Sequence, residues 1–141
     1  MAEIKLSTDE LRYMSVFERI TGVTAKDCIV DGERIIFVVS GGDMGLAIGR
    51  GGENVEKVRN TIGKKVEVVE YSDDVEEFVK NLLRPIAVRN VRVGKSKGKQ
   101  TIYIEVHSKD KGLAIGKGGR NIKKMKLLVQ RHYGIDGVVI E

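Results

Sequence analysis

The chain has 141 residues, 41% of them hydrophobic and 32% charged, and a formal net charge of +5. This balance excludes an intrinsically disordered chain, and no apolar run approaches the roughly 20 residues of a membrane helix. The single cysteine, Cys28, excludes an internal disulfide and fits a reducing cytoplasm, and Met1-Ala2-Glu3-Ile4-Lys5 lacks the layout of a secretory signal.

The elements follow in chain order. Ser7-Thr8-Asp9-Glu10 has the spacing of a capping box, and Leu11, Met14, Phe17 and Ile20 follow at spacing of three. A helix is expected to about Thr21 or Gly22. Cys28-Ile29-Val30, Asp31-Gly32 and Ile35-Ile36-Phe37-Val38-Val39 predict a hairpin around an Asp-Gly turn, with a buried, inert thiol at Cys28. Gly42 to Ile48 predicts a short helix, broken by Gly49 to Gly52. A second helix is expected from near Gly52, carrying Val55, Val58 and Ile62 and ending at Gly63. Val66-Glu67-Val68-Val69 is a strand.

The order then returns. Asp73-Asp74 caps a helix carrying Val75, Phe78, Val79, Leu82 and Leu83, which Pro85 stops. Val88 to Val93 is a strand, and Gly94-Lys95-Ser96-Lys97-Gly98-Lys99 reads as a basic loop. Ile102, Ile104 and Val106 alternate with Tyr103 and Glu105, as in a half-buried strand. A short helix, a glycine break, a long helix with Ile122, Met125, Leu128 and Val129, and a strand Val138-Val139-Ile140 complete the chain. Each half is α-β-β-α-α-β, an α+β arrangement. The expected domains are 1–72 and 73–141, joined without a flexible linker and packed on each other. Charge divides unequally between them. Residues 1–70 hold 10 Lys/Arg and 12 Asp/Glu, net −2, and residues 71–141 hold 15 and 8, net +7. A lopsided basic field favours a polyanionic partner.

The clearest signal is a repeat. Gly45-Leu46-Ala47-Ile48-Gly49-Arg50-Gly51-Gly52 returns as Gly112-Leu113-Ala114-Ile115-Gly116-Lys117-Gly118-Gly119, and Asn54 matches Asn121. The one change, Arg50 against Lys117, keeps the positive charge. Duplication means two copies of one small unit. Each copy sets glycines around one cation ahead of a helix. Glycine lets a backbone approach a phosphate closely, and a helix start offers free N–H groups and partial positive charge. A P-loop is excluded, because Gly112 and Gly116 stand one residue too close and no Ser or Thr follows Lys117. The dinucleotide fingerprint also fails, since Asn54 and Asn121 stand where its third glycine belongs.

Both copies fit Ile-Gly-x-x-Gly-x-x-apolar-x-x-apolar: Ile48 to Val58, and Ile115 to Met125. This pattern resembles the KH RNA-binding domain, with its GxxG loop between two helices, over nearly the whole chain. The element order is similar to the type II arrangement. The resemblance implies two tandem type II KH domains, each a three-stranded mixed sheet covered by helices. In KH domains the groove beside the loop holds about four unstacked nucleotides. By that analogy the first RNA-binding site comprises Ala47, Ile48, Gly49, Arg50, Gly51, Gly52 and Val55. The second comprises Ala114, Ile115, Gly116, Lys117, Gly118, Gly119, Arg120, Ile122, Lys123 and Lys124. Val58 and Met125 stand between groove and core, and Asn54 and Asn121 between ligand contact and local cap. Glu53 and Glu56 follow the first loop, whereas no acid follows the second until Asp136, so the second unit is expected to attract phosphate more strongly.

Two tandem type II units look like the archaeal NusA-like transcription factors. The polymerase-binding and OB-fold domains of bacterial NusA are not expected within these 141 residues. The resemblance implies binding of single-stranded RNA, such as a nascent transcript, in termination or antitermination. RNA polymerase or other transcription factors are the implied protein partners. A ribosome-associated or ribosome-assembly KH protein is the alternative. No cofactor, metal or membrane is expected, and the protein is expected to be a cytoplasmic monomer. His107 and His132 fall in different elements, His132 near a helix end as dipole partner or surface residue. With one cysteine they form no catalytic or zinc constellation, so no enzyme is expected.

Overall fold

The computed structural model describes residues 6–141. The expected start of the first domain and the five residues read for a signal lie outside them. Contacts divide the chain at Ser72 and Asp73 into two compact units.

In the first unit, helix α1 (Thr8–Thr21) starts on the capping box read from sequence. The Ser7 hydroxyl accepts from the Glu10 N–H at 3.1 Å, and the Ser7 N–H donates to the Glu10 carboxylate at 2.8 Å. Gly22 closes the helix in the left-handed conformation. Strands β1 (Asp27–Asp31) and β2 (Arg34–Val39) pair antiparallel, and β3 (Lys65–Glu70) pairs parallel to β2. Antiparallel neighbours need only a tight turn, whereas the parallel pair needs a crossover. Helices α2 (Met44–Ile48) and α3 (Glu53–Ile62) supply it. The core lies under α1, where Phe17 and Phe37 stack with centroids 4.3 Å apart. Cys28 is fully buried.

The expected Asp-Gly turn shifts by one residue. Gly32-Glu33 make the connection, and Asp31 pairs with Arg34 across the last rung. An ion pair holds it there, with the Arg34 guanidinium 2.6 Å from the Asp31 carboxylate. Helix α2 starts at Met44 rather than Gly42, because Gly42 has φ +94°, outside the helical region.

The second unit repeats this plan. Helix α4 (Val75–Leu83) is capped by Asp74, whose carboxylate accepts from the Glu76 N–H at 3.1 Å. Strands β4 (Val88–Ser96), β5 (Lys99–Val106) and β6 (Gly137–Ile140) form the second mixed sheet. Helices α5 (Lys111–Ile115) and α6 (Arg120–Tyr133) make its crossover. The basic loop read at 94–99 is mostly strand. Only Lys97-Gly98 turn, both at positive φ (52° and 78°), so the ladder runs on to the Ser96–Lys99 rung. Paired left-handed residues match the twist of the flanking strands and allow a two-residue connection. A 3₁₀ turn, Ser108–Asp110, precedes α5, and the His107 imidazole caps it by accepting from the Lys109 N–H. His132 lies in the last turn of α6, as the dipole reading expects, and is half-buried beside Phe78, ring centroids 6.2 Å apart.

Candidate nucleic-acid interface

Both glycine loops adopt one geometry. Gly49 (φ 79°, ψ 170°) and Gly116 (φ 81°, ψ 160°) hold a conformation that side chains rarely reach. A Cβ on Gly49 would meet the Asn54 backbone nitrogen at 2.8 Å, and one on Gly116 the Asn121 nitrogen at 2.9 Å. Here glycine is required by conformation and by space together. A 3₁₀ turn follows in each copy, at Arg50–Gly52 and Lys117–Gly119. Within the first loop the Gly49, Gly52 and Glu53 amides donate to Gly45, Gly49 and Arg50 carbonyls. The amides of Arg50 and Gly51 take no part in these bonds. The second loop closes in the same way.

Gly51 (φ 62°) and Gly118 (φ 65°) form the outer corner of each loop. They are exposed, and a Cβ on either would meet nothing within 4 Å. The cations Arg50 and Lys117 beside them are also exposed. Gly52 and Gly119 are left-handed caps from which α3 and α6 start. Each loop therefore places an open backbone corner, a free cation and a helix start together, a combination suited to an anion.

The asparagines resolve as clamps. The Asn54 side-chain amide donates to the Leu46 carbonyl at 2.8 Å, and Asn121 donates to Leu113 at 3.0 Å. Each bond ties the first turn of the long helix to the end of the short one and holds the loop closed.

Not every expected site residue reaches the surface. Ala47 and Ala114 are fully buried, as are Val58 and Met125, so these four support the loops from beneath. A five-residue helix has one inner face, and the alanine on it packs against the core. Lys124 is a further correction. It is 6% exposed, one turn before buried Leu128 on the same face of α6, so its stem is drawn inward. Its counterpart Lys57 has a side chain 61% exposed and pairs with Glu53 at 3.4 Å. Ile48, Val55, Ile115 and Ile122 are half-buried beside the loops, and so are Gly49, Gly52, Gly116, Gly119 and Arg120. Lys123 is exposed.

Sequence reasoning passed over Leu46 and Leu113. They are 57% and 64% exposed, directly ahead of the loops, and identical in both copies. A repeated leucine on the outer face of so short a helix was the available signal.

Electrostatically the two loops differ. Helix α3 opens with Glu53 and Glu56, and α6 with Arg120 and Lys123 and no acid.

Comparison with known proteins places this geometry in a family. A model described as "KH domain" matches residues 11–95, and one described as "NusA-like second KH domain" matches residues 75–137. A "Probable transcription termination protein NusA" of Halobacterium salinarum is 44% identical over 136 residues, covering 96% of both chains. The chain belongs to the archaeal NusA-like family of KH proteins. Another NusA-like relative, from Methanocaldococcus jannaschii, is 37% identical over 141 residues, 99% of this chain and 76% of that one. The solved crystal structure of APE1850 is 47% identical, with a TM-score of 0.81, covering 96% of this chain and all of that one. A "Transcription termination/antitermination protein NusA" of Thermus thermophilus matches more narrowly. It is 32% identical over 82 residues, 57% of this chain and 20% of its own length.

Proposed function

We propose that this protein is a single-stranded RNA-binding factor of transcription termination and antitermination, holding RNA at one glycine loop per unit. The observation that carries this reading is the repeated loop, an exposed Gly51 or Gly118 corner flanked by Arg50 or Lys117. A phosphate approaches the corner where no Cβ intervenes, meets unused N–H groups, and is held by the adjacent cation. Unstacked bases then lie against the apolar rim: Leu46, Ile48 and Val55 in the first unit, Leu113, Ile115 and Ile122 in the second. Little chemistry is asked of the side chains beyond contact, charge and shape.

The second unit carries the larger share of phosphate attraction, because Lys117, Arg120 and Lys123 act without neighbouring acids. Membership of the NusA-like family supports a role in transcription, and the relatives' names favour it over the ribosome-associated alternative. In this reading the protein is a binding protein, works as a monomer on nascent transcript in the cytoplasm, and meets RNA polymerase there. No helix among the described residues is long and apolar enough to cross a membrane.

The test compares a single-stranded RNA with a hairpin stem of equal length. Bases must reach the groove unstacked, so the single strand should bind at least tenfold more tightly. Crosslinking in cells should recover nascent transcripts. Equal affinity for stem and strand refutes the groove; recovery of ribosomal RNA alone refutes the transcriptional role.

A further inference from the structure

The hairpin of the second unit differs from its counterpart in the first in length, exposure and charge. In the first unit β2 and β3 begin together at the Arg34–Lys65 pair. In the second, β6 joins only at Thr101, and two more rungs, Lys95–Gln100 and Ser96–Lys99, stand beyond it. The extension has no third strand beside it. Strand β4 contains no buried residue, whereas its counterpart β1 buries Asp27, Cys28 and Ile29. From Val88 to Val106 the second hairpin holds five cations and one acid, Glu105. The first hairpin, Asp27 to Val39, holds Asp27, Asp31 and Glu33 against the single cation Arg34.

Three of the five cations, Lys95, Lys97 and Lys99, occupy the extension, and all are exposed. Edge lysines also keep sheets from pairing with another chain. Lys95 on the edge strand β4 meets that need. Lys99 lies where β6 does not reach β5 and can share that role, whereas Lys97 stands on the turn, where edge protection does not call for it. Farther along β4, Arg92 lies 4.0 Å from the centroid of the Tyr103 ring, with its side chain about half exposed. A guanidinium held beside a ring can also stack against a base. The facing acids are few. The Asp136 carboxylate accepts from the Gln100 N–H at 3.0 Å, Glu141 lies 3.4 Å from Arg92, and Glu105 pairs across from Asn90.

We propose that the β4–β5 hairpin is a second RNA contact, outside the glycine-loop grooves, which holds strand leaving the groove by Lys95, Lys97 and Lys99 and stacks a base on Arg92. It rests on the RNA-binding reading above and extends it in length. The hairpin tip lies by the C-terminal end of α6, since Asp136 bonds to Gln100, and the glycine loop lies at the other end of that helix. Fourteen helical residues span about 21 Å at a rise of 1.5 Å each. An oligonucleotide that only fills a groove does not reach the tip, and a longer one does.

The experiment uses the full chain, a four-nucleotide and a sixteen-nucleotide unstructured RNA, and a salt series. The variant combines Lys95→Gln, Lys97→Asn and Lys99→Gln; asparagine tolerates the left-handed turn. A second variant, Lys95→Gln with Lys99→Gln, leaves the turn untouched. The triple variant should bind the short RNA within twofold of wild type and the long RNA about tenfold more weakly. Its slope of log K against log salt on the long RNA should be shallower by about 2, and the double variant's by about 1.4, at roughly 0.7 per phosphate. Unchanged affinity and slope for the long RNA overturn the hairpin contact. Loss of binding to poly-glutamate with RNA binding unchanged also overturns it, in favour of an acidic protein partner. Gly118→Asp separates the two readings, because it weakens the short RNA as well. A wild-type protein that binds neither RNA refutes both.

Discussion

Gly116 and Gly118 stand two residues apart, and substitutions there should fail in opposite ways. Gly118 has φ 65° and ψ 17°, the left-handed helical region, and open space around its missing Cβ. Aspartate tolerates that region better than most residues, at a strain of about 1 kcal/mol. For a unit of this size such a loss lowers Tm by roughly 4–8 °C, so Gly118→Asp stays folded. Its carboxylate then occupies the corner where a phosphate is proposed to sit. Loss of a charge-assisted contact costs about 1–3 kcal/mol, or roughly 5- to 150-fold in affinity. Gly116→Ala reverses the pattern. The new Cβ would lie 2.9 Å from the Asn121 backbone nitrogen and 3.0 Å from its Cγ, in a conformation left to glycine. Strain of about 1–3 kcal/mol adds to the lost Asn121–Leu113 bond of about 1 kcal/mol, a total near 2–4 kcal/mol. Tm should fall by about 10 °C or more. Thermal unfolding by circular dichroism and fluorescence anisotropy with a labelled single-stranded RNA read the two effects separately. A folded Gly118→Asp that binds as wild type removes the loop from the site. A Gly116→Ala protein of wild-type Tm refutes the steric argument.

Gly51→Asp should also weaken RNA binding, but less than Gly118→Asp, and a larger loss in anisotropy would show that the first unit dominates. Replacing Lys117 and Lys123 by Ala should flatten the salt slope by up to about 1.4, while Arg50 with Lys57 should flatten it less, since Glu53 and Glu56 already offset that helix. Equal slopes in the two double variants would refute the unequal roles. Asn121→Ala should lower RNA affinity several-fold through a loosened loop and cost about 1 kcal/mol of stability, measured by urea unfolding; unchanged affinity would show that the loop holds without its clamp. Lys124→Ala should lower stability by about 1–3 kcal/mol, while Lys123→Ala leaves it within about 0.5 kcal/mol, because only Lys124 is buried. Matching melting curves for the two lysine variants would contradict that burial.

Local signals in the chain were sufficient for the element order, the capping box at Ser7 and Glu10, the glycine stops at Gly22 and Gly63, and the two loops. Each depends on a few neighbouring residues whose conformational preferences act within one turn of helix or strand. The duplication added what one copy could not, since a chance motif does not recur with the same flanks and the same order of elements. Burial was different in kind, because it is set by what packs across space. Ala47 and Ile48 are neighbours in a helix too short to display a period, and only the fold turns the alanine inward and leaves Leu46 exposed. Lys124 and Lys57 occupy matching places in the repeat, yet one is buried and the other exposed. The asparagines read equally well as caps or contacts until the carbonyls of Leu46 and Leu113, eight residues back, came within bonding distance. The stretch 94–99 has the composition of a loop. Pairing with β5 makes most of it strand, because a ladder bond to a partner outweighs the weak preference of glycine, serine and lysine for irregular chain.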